Sequence, residues 1–102
     1  MTRLAPENCT TMAEIRTGID SVDRDLVALL AERLRFIEAA ARVKTERSAV
    51  RDEWRKADVL AKVAETARQH GLPADLPAML WEALIEYSIA HEFVRFDAKQ
   101  SV

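Results

Sequence analysis

Glycine, proline and cysteine are scarce in this chain. Two glycines and three prolines in 102 residues are too few turn formers for a many-stranded sandwich or barrel. A lone cysteine, Cys9, excludes an intrachain disulfide and a cysteine-based zinc cluster. His70 and His91 stand apart from any acid set at ligand spacing, so no metal is predicted. No glycine-rich phosphate loop is present. No apolar run exceeds a few residues, which excludes a membrane-spanning helix. The opening Met1-Thr2-Arg3-Leu4-Ala5-Pro6-Glu7 lacks the apolar core of a secretory signal. A net charge of −2 argues against a general binder of nucleic acid or membrane surfaces.

What is present suits one soluble domain, expected in the cytoplasm. The chain is 49% hydrophobic, enough for a core, and 31% charged, enough for a solvated surface. The periodicity predicts an all-α fold of three helices over residues 11–98, preceded by a flexible segment, 1–10. Thr11-Met12-Ala13-Glu14 fits a capping box. After it, Ile15, Ile19, Val22, Leu26, Leu29, Ile37 and Ala41 follow one helical stripe to about Lys44. A second helix carries Val59, Leu60, Val63, Ala64 and Ala67, and stops at Gly71 before Pro73. A third begins near Asp75, with Pro77 in the tolerant first turn. Its stripe is Leu80, Trp81, Leu84, Ile85, Ile89, Phe93 and Phe96. Trp54, Trp81, Phe36 and Phe93 are expected in the core or an interface.

The length of the first helix bears on assembly. About 34 residues at 1.5 Å each span roughly 50 Å. A compact chain of this size is only about 33 Å across. Two shorter helices cannot cover such a stripe, which predicts an intertwined helical homodimer. The alternative is a helix broken near Gly18 or Ala39-Ala40-Ala41, folding as a monomeric bundle.

Several charges fall on faces that should be apolar. Arg33 interrupts the line Leu26, Leu29, Arg33, Ile37, and Lys44 returns to nearly the same face about 16 Å further on. Two cations on one inward face suit a small polyanion, although each alone is also explained by snorkelling. Arg16 lies about 25 Å before Arg33, and about 100° around the helix. It cannot reach the same ligand from the same straight helix, so any contact it makes would be to a site dominated by another subunit; taken alone, Arg16 reads as a solvated surface residue. On the third helix Ser88 and Glu92 are i, i+4 neighbours in the line Trp81, Ile85, Ser88, Glu92, Phe96. A carboxylate there is costly unless paired or protonated. It reads either as a buried ion pair with an arginine, as an exposed helix rim, or as a pocket acid with a raised pKa. Arg47, Arg51 and Arg55, near Asp52, can clamp carboxylates bidentately. The charge gathered over residues 45–52 predicts a loop ordered by an anionic substrate.

With these residues in view, the chain resembles the all-helical chorismate mutase family and the isochorismate-pyruvate lyases that share its fold. The resemblance runs over about residues 6–96. It is carried by Ala13-Glu14-Ile15-Arg16-Thr17-Gly18-Ile19-Asp20, Leu29-Leu30-Ala31-Glu32-Arg33, Ala40-Ala41-Arg42-Val43-Lys44, Val50-Arg51-Asp52 with Arg55, and Glu86-Tyr87-Ser88-Ile89-Ala90-His91-Glu92. Pro6-Glu7-Asn8-Cys9-Thr10 looks more like the lyases; Val50-Arg51-Asp52 and Ser88 look more like ordinary mutases. Lys56 stands where many mutases have a Glu that holds the ring hydroxyl.

The resemblance implies a dimer with two sites and no cofactor. Arg16 would be donated by the partner chain. Arg33, Lys44 and Arg55 would contact the substrate carboxylates and ether oxygen, with Asp52 and Ser88 beside them. Glu92 stands where many members have Gln, and would help as a donor only when protonated. That predicts a rate falling as pH rises, flattened by Glu92→Gln. The implied reaction is the rearrangement of chorismate to prephenate. The alternatives are the cleavage of isochorismate to salicylate and pyruvate, and a non-catalytic helical dimerisation module. Which pathway the enzyme would serve, aromatic amino acids or salicylate, is left open.

Overall fold

A computed structural model describes residues 3–100. The first two positions of the predicted segment 1–10 lie outside the described residues. Three helices account for most of the chain: α1 (Met12–Val43), α2 (Glu53–Gln69) and α3 (Asp75–Gln100). Short 3-10 turns occur at Pro6–Asn8 and Arg47–Ala49. Among the described residues there is no strand. None of the helices is long and apolar enough to cross a membrane.

Local signals explain the helix ends. The capping box closes both ways: the Glu14 N–H donates to Thr11 Oγ1, and the Thr11 N–H donates to Glu14 Oε1, each at 3.1 Å. Thr10 adds its own N–H and hydroxyl to the same carboxylate, holding its pKa below the usual glutamate value. Asp52 caps α2, accepting from the Arg55 N–H at 3.0 Å. At the other end Leu72 N–H bonds Ala67 O and Gly71 N–H bonds Arg68 O. This is a Schellman stop, and it places Gly71 at φ +72°, where a side chain is strained.

The chain divides into two compact units, with the boundary between Arg35 and Phe36. In the first unit the N-terminal segment is tied to α1 by Arg3, whose guanidinium pairs with Asp25 at 2.7 Å. The apolar stripe of α1 in this unit is uncovered: Ile15, Ile19, Val22, Leu26 and Leu29 are between 37% and 61% exposed. Gly18 does not break the helix, nor does Ala39-Ala40-Ala41.

The second unit holds a small core. Ala41, Val50, Ile85, Ile89 and Phe96 are buried, with Val59, Leu60, Trp81 and Phe93 packed against them. Trp81 and Phe93 thus join the core as the sequence predicts. Phe36 and Trp54 do not, at 70% and 77% exposed.

Candidate active site

Among the described residues, the buried polar side chains of the second unit are Ser88 and Glu92, one turn apart on α3 and 3% and 4% exposed. Ser88 fits because its hydroxyl donates to Leu84 O, one turn back, at 2.7 Å. Glu92 fits because Lys44, the first residue past α1, brings its Nζ to 2.7 Å from Oε2. That ammonium is close enough for an ion pair, but among the described residues no donor is aligned on the oxygen as a hydrogen bond requires. Oε2 is therefore a buried acceptor with a counter-charge and an unused lone pair. The sequence left a buried pair with an arginine open for Glu92; its partner here is a lysine.

The three arginines singled out as carboxylate clamps bind carboxylates of this chain. Arg47 grips both oxygens of Asp97, at 2.9 and 3.2 Å, while lying 4.5 Å over the Phe93 ring. Its guanidinium keeps the Asp97 carboxyl below the usual aspartate range. Arg51 grips Glu86, at 2.6 and 3.3 Å, and also Glu53. Arg55 meets Asp58 at 2.6 Å. Val50 is buried between these anchors. The loop over residues 45–52 is thus held by protein carboxylates and an apolar plug, where the sequence predicted ordering by a substrate.

Lys56 joins this network, reaching Glu82 at 2.8 Å and Glu86 at 2.9 Å. The Arg51 guanidinium, and then the Lys56 ammonium, bring the Glu86 carboxyl down to about 2. Among the described residues no cluster of three or more His, Cys, Asp and Glu is placed to hold a metal.

Of the residues singled out in the sequence, Lys44 and Glu92 meet directly, with Ser88 one turn away on α3. Asp52 and Arg55 share the first turn of α2, where Asp52 has the structural post of N-cap. Arg16 and Arg33 belong to the first unit, Arg16 exposed and Arg33 half-buried.

Residues 15–93 match the family described as chorismate mutase type II. The chain belongs to this family. A curated relative, the isochorismate pyruvate lyase of Pseudomonas aeruginosa, is 36% identical over 87 residues, spanning 85% of this chain and 86% of its own length. The chorismate mutase type II match covers α2 whole, and most of α1 and α3.

Sequence reasoning missed two groups in this chorismate mutase-type chain. The Arg51–Glu86–Lys56–Glu82 network joins charges up to 35 residues apart, and nothing local announces it. Lys99, whose ammonium sits on main-chain oxygens at the end of α1, carried a signal that went unused. It lies three residues after Phe96 and seven after Glu92, on their helical face.

Proposed function

We propose that this chain breaks the enolpyruvyl ether C–O bond of chorismate or isochorismate without a cofactor. The carrying observation is the buried Glu92 carboxylate beside Lys44, with one oxygen lacking an aligned donor. Such a group is costly in a structural core, and is explained by a polar ligand that completes it. In this reading Lys44 supplies positive charge where the departing ether oxygen gathers electrons. Arg33 and Arg55 take the substrate carboxylates, with Ser88 near one of them. Arg55 is 59% exposed and held by Asp58, a surface pair cheap to exchange for a substrate carboxylate. Asp52 acts by fixing the first turn of α2 under Arg55.

The uncovered stripe Ile15, Ile19, Val22, Leu26 and Leu29 supports a second copy as the covering partner. That copy would also supply Arg16. Holding the substrate in its reactive conformer is the remaining contribution.

Two reactions fit this chemistry. In elimination, the C–O bond of isochorismate breaks while a ring hydrogen moves to the enolpyruvyl methylene, giving salicylate and pyruvate. In rearrangement, the C–O bond of chorismate breaks as a C–C bond forms, giving prephenate. The sequence alone puts rearrangement first, through Val50-Arg51-Asp52 and Ser88. The lyase relative moves elimination ahead, in line with Pro6-Glu7-Asn8-Cys9-Thr10. Rearrangement is the second reading and is expected as a slower side activity, because both transition states share one geometry.

The test is to incubate the purified protein with each substrate and identify products by NMR. Salicylate with pyruvate, formed much faster than prephenate, supports the lyase. Prephenate as the efficient product makes it a mutase. Neither product from folded protein, across acidic and neutral pH, would sink the enzymatic reading in favour of a dimerisation module.

A further inference from the structure

Lys99 is the residue that the proposed chemistry leaves unexplained. Its Nζ lies 2.6 Å from Ala41 O, 3.2 Å from Arg42 O and 2.5 Å from Lys44 O, and 4.4 Å over the Phe96 ring. An ammonium has three donors, and here they face three main-chain oxygens at one helix end. Part of this is ordinary capping, because the last carbonyls of α1 have no partner within the helix and carry its negative pole. The bond to Lys44 O does more than cap. Lys44 closes the helix as its C-cap, with its N–H on Ala40 O, so its carbonyl is the last that the helix leaves unpaired; it also belongs to the residue whose ammonium meets Glu92.

Lys44 is thereby held at three points. Its N–H donates to Ala40 O at 2.9 Å. Its carbonyl accepts from Lys99. Its side chain meets Glu92 at 2.7 Å. Glu92, Phe96 and Lys99 recur at intervals of four and three, which puts them on one face of α3. One stripe of α3 therefore grips both the main chain and the side chain of the same lysine.

We propose that Lys99 is a positioning residue: it fixes the main chain of Lys44 so that the Lys44 ammonium is aimed at the reacting ether oxygen. This rests on the reading of Lys44 given above. Displacing a catalytic charge by about 1 Å can cost on the order of a hundredfold in rate. A capping role alone would lower the melting temperature and leave the kinetics of the folded protein unchanged.

The experiment compares Lys99→Met, Lys99→Arg, Lys44→Ala and the Lys44→Ala/Lys99→Met double variant, each checked for helical circular dichroism. With chorismate and isochorismate as substrates, Lys99→Met is expected to lower kcat by about tenfold or more with KM within about threefold. Lys99→Arg, which keeps charge and several donors, is expected to recover most of that loss. The double variant is expected to be no slower than Lys44→Ala, since both act through one group. A kcat within twofold of wild type in Lys99→Met, or losses that multiply in the double variant, would overturn the proposal. If Lys99→Met does not fold, Lys99→Gln, which keeps two donors without charge, takes its place under the same criteria. Amide hydrogen exchange at Lys44 tests the main-chain hold itself, separately from turnover, so that its failure is distinguishable from a failure of the proposed function. It should be at least tenfold faster in the variant, with the Ile85 and Ile89 amides of α3 unchanged. Equal exchange rates at Lys44 would remove the positioning role.

Discussion

Lys44 Nζ and Glu92 Oε2 lie 2.7 Å apart, joining the first residue after α1 to the buried face of α3. The two ends of this pair are unequal. The Glu92 side chain is 6% exposed and that of Lys44 30%, so the lysine reaches in from a wetter place to meet a carboxylate that cannot leave. This decides what happens when the cation is removed. Lys44→Met is expected to destabilise the fold, because it strands a buried carboxylate. Stability should fall by about 1–3 kcal/mol, less than for a fully buried pair because Lys44 is partly solvated. Turnover should fall on the order of 10²–10³-fold. Urea unfolding and steady-state kinetics measure the two separately. Adding Glu92→Leu to Lys44→Met should restore much of the stability and none of the activity. Restored activity would remove Lys44 from the chemistry.

Asp52 offers a cleaner separation of structure from substrate binding. Its carboxylate caps α2 through the Arg55 N–H. Asp52→Ala should cost about 1 kcal/mol, or a melting temperature lower by about 5 °C. Asp52→Asn keeps a capping oxygen and should restore stability. If Asp52 serves the site only by setting the first turn of α2, Asp52→Asn should also restore KM. A variant with wild-type stability and a KM raised tenfold would instead mean that the carboxylate meets the substrate.

The Arg51–Glu86–Lys56 cluster sets an acid limit. The folded-state pKa of Glu86 is lowered to about 2 by hydrogen bonds from Arg51 and Lys56. A depressed carboxylate stabilises the fold fully above its unfolded value, and that contribution fades as pH falls through the folded one. Glu86→Gln should therefore be less stable than wild type at pH 6. The difference should shrink between about pH 4.5 and pH 2. Thermal melts of both proteins across that range test it. A gap that stays constant down to pH 2 would show that the ion pairs contribute nothing titratable.

These contacts also show where reading the sequence stops. The capping box at Thr11, the Gly71 stop and the α3 stripe are local, and adjacent residues specify each. The pair of cationic positions and the misplaced Glu92 were legible as breaks in apolar periodicity, because a charge on a buried face must find a partner. The identity of the partner was not. Lys44 meets Glu92 across 48 positions, Arg51 meets Glu86 across 35, and Arg47 chooses Asp97 across 50. Those pairings follow from how the segment between α1 and α2 lies on α3, which no short window contains. Free arginines near a loop look the same in sequence whether they await a substrate or already hold a neighbouring glutamate.

Arg16 tests the assembly. It sits on the exposed side of α1, in the unit whose apolar stripe includes Ile19 and Leu26, 53% and 52% exposed. If a second copy covers that stripe, Leu26→Glu places a charge in the interface and should yield monomers by light scattering, with turnover lost. Arg16→Ala should leave the dimer intact and still abolish turnover, because the arginine serves the partner's site. Mixing inactive Arg16→Ala with inactive Lys44→Ala then becomes informative. In a mixed dimer, the site built on the Arg16→Ala chain keeps its own Lys44 and borrows Arg16 from the other chain. Random exchange makes half of the dimers mixed, each with one complete site of two, so about a quarter of wild-type activity should return. Mixed dimers that form but stay inactive would show that Arg16 does not act across the interface.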